Sequence, residues 1–382
     1  MDTGNRKKAL VVDDSAFMRK LITDFLSGHP EIDVIGTARN GKEAVEKVRT
    51  LRPDVVTMDI EMPIMNGLEA LKEIMEKHPV PVVMLSSTTK IGAENTMLAM
   101  EYGAVDFVAK PGGAISLNLH EVKEEILKKV MAAVGVRMST LTRTIPSTPV
   151  TSLLVSKSTR YSSESKNELF STANLQNRVS FRSKNKMFKS GKTFVLVGTS
   201  TGGPRALQEV LTKLPATIGV PILVVQHMPP GFTKSLADRL NGLCNITVKE
   251  AEDGEILESG TAYIAPGGKH LKMMKKGLDY FVRLDAEEPP RIGHRPSVDV
   301  LLESAAEHAD VNFLTVIMTG MGYDGKVGME VLRKNGRTMT IAESAKTSVV
   351  YGMPKAIKEA GLADEVVDLQ NISESILEII KS

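Results

Sequence analysis

Short apolar runs alternate with amphipathic stretches from Ala9 to about Val134. The runs are Ala9-Leu-Val-Val12, Val34-Ile35, Asp54-Val-Val-Thr-Met58, Val80-Pro-Val-Val-Met-Leu85 and Val105-Asp-Phe-Val108. Around them, residues 15–27, 41–50, 67–78, 92–102 and 119–133 carry apolar positions at helical spacing. Strand and helix in this alternation predict a parallel sheet covered on both faces. Beyond Gly135 the pattern collapses into Ser, Thr, Asn and basic residues, such as Ser162-Ser-Glu-Ser165 and Arg182-Ser-Lys-Asn-Lys186. Such composition is too polar to repay the entropy of ordering, and it predicts a flexible linker over 135–191. Alternation resumes at Thr193-Phe-Val-Leu-Val197 and continues through Val220-Pro-Ile-Leu-Val-Val225, Ala262-Tyr-Ile-Ala265 and Phe313-Leu-Thr-Val-Ile317. A second α/β domain, doubly wound and mainly parallel, is therefore expected over 192–382. Within it Leu271-Lys-Met-Met-Lys-Lys-Gly277 followed by Leu278-Asp-Tyr-Phe-Val282 predicts a β-hairpin with glycine at the turn.

Composition narrows the function classes. With 382 residues, 42% hydrophobic and 25% charged, the chain has the make-up of a soluble protein of about two domains. No apolar stretch approaches a membrane span, and residues 1–8 run into the first strand without a signal-peptide core, so a cytoplasmic location without membrane insertion is expected. The net charge of +2 supplies no field for nucleic acid. The basic residues of the linker lack a dense block and interleaved aromatics, and the C-terminal half shows strands in place of a helix-turn-helix. A nucleic-acid partner, and with it a DNA-binding regulator, is therefore disfavoured. The single Cys244 can form neither an intramolecular disulfide nor a cysteine cluster. His29, His78, His120, His270 and His308 show no paired spacing that suggests zinc, while His294, beside Arg295 and Ser297, is a candidate for the substrate cleft.

In an open parallel sheet, functional groups collect beyond the carboxyl ends of the strands. Asp13 and Asp14 follow the first run and Asp59 follows the third, so three carboxylates should share one pocket. Hard oxygen ligands with room for water suit Mg²⁺. Ser86 and Lys110 end two further strands and would bring a hydroxyl and an ammonium to the same pocket, both suited to a phosphoryl group. Helix capping by Asp13 or Asp14 and a turn role for Asp59 would explain each residue singly, but not their joint placement. The ordered motifs Val11-Val-Asp-Asp14, Met58-Asp-Ile-Glu-Met-Pro63, Leu85-Ser-Ser87 and Ala109-Lys-Pro111 resemble response-regulator receiver domains. That resemblance implies a flavodoxin-like fold with a five-stranded parallel sheet over 1–134. It also implies phosphorylation of Asp59 by a histidine kinase and Mg²⁺ bound by Asp13, Asp14, Asp59 and the carbonyl of Glu61. Ser86, Phe107 and Lys110 then occupy the switch positions.

A second site is carried by Gly198-Thr-Ser-Thr-Gly202, which follows an apolar strand and precedes a helical pattern with Pro204 in its first turn. A strand, a tight turn and a helix expose a nucleophilic serine at Ser200 and aim helix amides at a developing oxyanion. A phosphate-binding loop is the rival reading, but the next strand ends in Gln226-His227 where a ribose-binding acid is expected, and no Lys-Ser/Thr pair follows the glycines. His227 at a neighbouring strand end is a candidate base, and Asp324, in a glycine-rich loop after Val316-Ile-Met318, a candidate third partner. Alone, Asp324 reads as a helix N-cap; beside Ser200 and His227 it completes a triad in the order Ser, His, Asp. The amides of Thr201 and Met321 are candidates for the oxyanion hole.

Together with Gln226-His-Met-Pro-Pro-Gly-Phe232, Tyr263-Ile-Ala-Pro-Gly267, His294-Arg-Pro-Ser-Val-Asp299 and Thr319-Gly-Met-Gly-Tyr-Asp-Gly325, the serine turn resembles the catalytic domain of chemotaxis protein-glutamate methylesterases. The resemblance implies a phosphorylation-regulated serine hydrolase that demethylates glutamate methyl esters on methyl-accepting chemoreceptors and deamidates receptor glutamines. Ser200, His227 and Asp324 would be its triad, no cofactor would serve the esterase reaction, and a chemotaxis histidine kinase would be the phosphodonor. Tyr323 departs from the family by standing where a small polar residue is common.

Overall fold

The computed structural model describes residues 6–110, 119–138, 191–334 and 337–381. The expected linker, 135–191, falls almost wholly outside these residues, as does Pro111. The N-terminal part runs β1 (Lys7–Val12), α1 (Ala16–Ser27), β2 (Ile32–Ala38), α2 (Gly41–Leu51), β3 (Val55–Asp59), α3 (Gly67–Lys77), β4 (Val82–Ser86), α4 (Lys90–Glu101), β5 (Asp106–Ala109) and α5 (Leu119–Val134). Its strands form a five-stranded sheet in the order β2-β1-β3-β4-β5, parallel throughout. Strands covered on both faces have no room for alternation, which is why β3 and β4 are buried at every position. Side-chain caps set the helix starts. Asn66 and Glu69 form a reciprocal capping box on α3, and Asn40 caps α2 by accepting from the Glu43 N–H.

The C-terminal part begins with β6 (Thr193–Thr199), α6 (Gly203–Leu211), β7 (Ile222–Gln226), α7 (Phe232–Asn241), β8 (Thr247–Glu250) and β9 (Thr261–Ile264). It continues with β10 (His270–Lys276), β11 (Asp279–Asp285), α8 (Val298–Ala306), β12 (Asn312–Ile317), α9 (Lys326–Lys334) and β13 (Thr338–Glu343). Last come α10 (Met353–Glu359), β14 (Glu365–Val367), a 3-10 turn (Leu369–Asn371) and α11 (Ile372–Lys381). Seven strands pair in the order β14-β13-β12-β6-β7-β9-β8, all parallel. The hairpin expected around Gly277 is β10-β11, a separate antiparallel ribbon whose turn glycine has a φ of 66°.

The chain leaves β6 toward β7 on one side and returns to β12 on the other, so the carboxyl end of β6 is a switch point of the sheet. Two crevices of this kind therefore exist, one per sheet.

The two parts pack through α4 against α6 and α7. Phe107 of β5 stacks on Phe232 of α7, with ring centroids 4.6 Å apart. Both rings are buried and join apolar side chains of the two sheets into one cluster.

Candidate functional site

Backbone pairing of Thr199 with Gln226 and of Ile317 with Gly198 brings three strand ends together. Ser200 follows β6, His227 follows β7, and the loop after β12 carries Asp324. The turn at Ser200 is tight because Gly202 adopts a φ of 77° and the Gly203 N–H closes on the Ser200 carbonyl at 2.7 Å. Gln226 braces it from the neighbouring strand by donating to that same carbonyl, at 2.9 Å.

His227 Nε2 lies 2.7 Å from Asp324 Oδ2. The Asp324 carboxylate also accepts from the Ser297 hydroxyl and from the Val298 and Asp299 N–H groups at the start of α8, at 2.7 to 2.9 Å. Burial alone would raise its pKa, but His227 and these backbone donors hold the carboxyl well below the usual carboxylate range. Asp324 is thus an anion fixed at a helix N-terminus, and the N-cap role expected of it alone is replaced by service to a helix other than its own. The carboxylate orients the Nε2–H tautomer, which leaves Nδ1 as the basic nitrogen. Nδ1 is buried and has no hydrogen-bond partner among the described residues. The Ser200 hydroxyl likewise makes no hydrogen bond to a described residue, so both atoms are free to engage a bound molecule.

Several supporting residues escape sequence reasoning. Asp299 accepts from the Gly325 and Gly328 N–H groups at 3.0 and 2.7 Å and so clamps the loop carrying Asp324; burial pushes its pKa up to about 6. Gly320 packs against Ser200 so closely that a Cβ there would lie 2.8 Å from the Ser200 Cβ. Glu343, at the end of β13, is wholly buried and accepts from the Thr319 N–H at 2.7 Å and the Thr347 hydroxyl at 2.9 Å. Burial raises its pKa to about 7. Thr319 in turn donates its hydroxyl to the Thr201 carbonyl at 2.9 Å and its carbonyl accepts from the Ser200 N–H at 3.0 Å. A strand-end acid beside β12 is the kind of signal that found Asp59, but β13 is too weakly apolar to stand out in the pattern.

At the first sheet, oxygens of Asp13, Asp14 and Asp59 lie within 4.8 Å of one another, as the strand ends predict. Lys110 reaches Asp59 at 2.7 Å and Asp13 at 3.0 Å. Burial pushes the Asp59 pKa up to about 6 against the opposing pull of Lys110. Asp13 is wholly buried, and three carboxylates gathered this closely offer more hard oxygens than Lys110 neutralises, so they fit a divalent cation. The Glu61 N–H lies 3.4 Å from Asp59 Oδ1.

Ser86 corrects the sequence reading. Its hydroxyl does not face the carboxylates; it donates to the Gly92 carbonyl at 3.0 Å and accepts from Thr96 at 2.7 Å, wholly buried against α4. Strand alternation located Ser86, but local hydrogen bonding to the helix chose its rotamer.

Three kinds of match accompany this geometry. Residues 195–376 match the family model described as CheB methylesterase, and residues 9–120 that of the response regulator receiver domain. A protein-glutamate methylesterase/protein-glutamine glutaminase of Geobacillus kaustophilus (strain HTA426) is 53% identical over 373 residues, which is 98% of either chain.

The chain belongs to the protein-glutamate methylesterase family.

A methylesterase of the same description from Bacillus subtilis (strain 168) is 46% identical, again over 98% of each chain. The crystal structure of the Thermotoga maritima CheB methylesterase catalytic domain is 46% identical and covers 50% of this chain and 99% of its own, with a TM-score of 0.47. No helix among the described residues is long and apolar enough to cross a membrane.

The receiver half of this methylesterase packs against the loops around Ser200 and His227. Thr201, next to Ser200, donates its hydroxyl to Asp106 Oδ2 of β5 at 2.5 Å. Lys128 of α5 lies 3.2 Å from His294, which stacks on His227. Arg239 grips both oxygens of Glu101 on α4, at 2.5 and 2.8 Å.

Proposed function

We propose that this chain is a phosphorylation-controlled serine esterase that hydrolyses methyl esters, and side-chain amides, of glutamyl residues on methyl-accepting chemoreceptors in the cytoplasm. Its parts are a receiver over 1–134, a linker over 135–191 and the catalytic domain over 192–382. The observation that carries the reading is the His227–Asp324 pair with its unpartnered Nδ1 at the strand end beside Ser200.

Ser200 Oγ attacks the γ-carbonyl while its proton passes to His227 Nδ1, and Asp324 stabilises the imidazolium through Nε2–H. The Thr201 and Met321 amides, in the two loops that meet at Ser200, donate to the oxyanion. Collapse expels methanol, or ammonia from a glutamine, with the proton returned by His227. Water deprotonated by His227 then attacks the acyl-serine and releases glutamate.

Asp59 accepts the phosphoryl group from a chemotaxis histidine kinase. Mg²⁺ would be held by Asp13, Asp14, Asp59 and the Glu61 carbonyl, where it would neutralise phosphoryl oxygens. Lys110 pairs with a further oxygen. Ser86 leaves Gly92 and Thr96 to bond the phosphoryl group, loosening the β4–α4 connection. Phe107 then withdraws from Phe232, and the receiver comes off the cleft.

Two measurements test this. A fluorophosphonate should label the phosphorylated chain at Ser200, with labelling lost in Ser200→Ala. Methanol release from methylated receptor membranes should rise on addition of a small-molecule phosphodonor. Unchanged labelling in Ser200→Ala would remove the nucleophile from this reading.

A further inference from the structure

One hydrogen bond holds the catalytic imidazole. His227 Nε2 meets Asp324, while Nδ1 has no partner among the described residues. A single bond fixes one atom of a ring but leaves the plane free to tilt about the bond axis, and tilt would carry Nδ1 away from the serine. Something else must set the plane.

The turn 291–294 supplies it. Arg291 and His294 exchange backbone bonds at 3.0 and 2.9 Å, and the two residues between them, Ile292 and Gly293, have φ of 53° and 78°. Positive φ at both central positions is a type I′ turn, which favours Asn, Asp or Gly; a β-branched isoleucine there is strained. Strain persists only where surrounding contacts impose it. Here Arg291 pairs with both oxygens of Glu303 at 2.9 and 3.2 Å, and Arg295 donates to the carbonyls of Ala286 and Glu288 at 2.7 and 3.2 Å. The clamped turn lays the His294 ring on His227, with centroids 3.8 Å apart and planes within 6° of parallel.

We propose that His294 is a positioning residue of the esterase: its neutral ring, stacked on His227, sets the plane in which Nε2 meets Asp324 and Nδ1 faces Ser200. This rests on the triad reading above. His227 must become cationic during turnover, so a stacked partner can serve only if it stays uncharged. The charged groups around the pair are Asp324 from the β12–α9 loop and Lys128 and Lys129 from α5. With the receiver docked, burial, then His227 and Lys128, push the His294 pKa down to about 3; undocking removes Lys128, but a cationic His227 stacked 3.8 Å away still opposes a second charge on the His294 ring.

The test uses the full chain treated with phosphodonor and compares wild type, His294→Ala, His294→Phe and Ser200→Ala. Methyl ester hydrolysis and the rate of fluorophosphonate labelling at Ser200 are both read. His294→Ala should lower kcat by about tenfold to 100-fold, the cost of a misplaced catalytic group, with little change in KM and a matching fall in labelling. His294→Phe, which restores a flat neutral ring without nitrogens, should recover activity to within about threefold of wild type. An alanine variant as fast as wild type overturns the proposal. So does a folded phenylalanine variant that is severely slowed, because the ring nitrogens would then matter in themselves; this arm decides the question even if the alanine variant does not fold. Ser200→Ala separates the underlying reading: if it hydrolyses normally the triad is wrong, whatever His294 does.

Discussion

Reversing one charge at the seam between receiver and esterase should switch the enzyme on without phosphate. Arg239 and Glu101 form a two-pronged pair at 2.5 and 2.8 Å with side-chain exposures of 42% and 22%. At that exposure the attraction stabilises docking by no more than about 1 kcal/mol. Arg239→Glu replaces it with a repulsion of similar size, so the docking free energy weakens by about 1–2 kcal/mol. At about 1.4 kcal/mol per factor of ten, the docking constant falls roughly 5-fold to 30-fold. The Phe107–Phe232 stack and the Asp106–Thr201 bond are untouched, so some docking survives. The unphosphorylated variant should release methanol from methylated receptor membranes faster by up to that factor, and its response to phosphodonor should shrink in proportion, because the open form is unchanged. Raising the ionic strength should blunt the difference. Adding Glu101→Arg restores an opposite-charge pair and should return the basal rate toward wild type. If Arg239→Glu leaves the basal rate unchanged, or if the double reversal stays as active as the single, the receiver does not act by covering the cleft.

Other perturbations follow from the two sites. Asp324→Asn cannot satisfy His227 and three donors at once with one oxygen, so turnover should fall by about 10⁴ with a stability loss of about 1–3 kcal/mol, read as kcat and a denaturant midpoint. Asp59→Asn, or chelation of Mg²⁺ in the unmutated chain, should abolish acyl-phosphate labelling by a radioactive small-molecule donor; persistent label in the mutant would put the acceptor elsewhere. Glu343 has its pKa raised from 4.5 to about 7 in the folded chain, so its contribution is full below about pH 4.5 and is lost as pH rises through about 7. That loss is at most about 3 kcal/mol. Glu343→Gln should flatten this part of the stability curve and raise the melting temperature above pH 7, and an identical pH dependence in the two proteins would exclude the residue as its source.

Both folds and most of both sites are legible in the sequence because each key residue directly follows an apolar run. Asp13, Asp59, Ser200 and His227 all sit where a buried parallel strand ends, and Asp324 one short loop beyond such an end. The same rule fails where side-chain direction is set by competing local bonds, as at Ser86, or where the partner is remote. Phe107 is separated from Phe232 by more than a hundred positions, and Asp106 from Thr201 by 95, with no periodicity to announce either contact. Gly320 and Asp299 act through close approach and backbone clamping, which a one-dimensional pattern of polar and apolar residues does not record.

The orientation of His227 bears on the reach of the base. In an imidazole ring, Nδ1 is bonded to the carbon that joins the backbone stem, whereas Nε2 is at the far edge. A histidine that gives its far nitrogen to a carboxylate has only a short arm left for a serine, which puts a premium on close main-chain packing around Ser200. Gly320, where a Cβ would stand 2.8 Å from Ser200 Cβ and 2.4 Å from Met353 Sδ, is where that crowding leaves no volume for a side chain. On the triad proposed above, a methyl group at position 320 would be a catalytic lesion: in an alanine variant the turn carrying Ser200 or the Met353 side chain would have to give way, while the three proposed triad residues all remained.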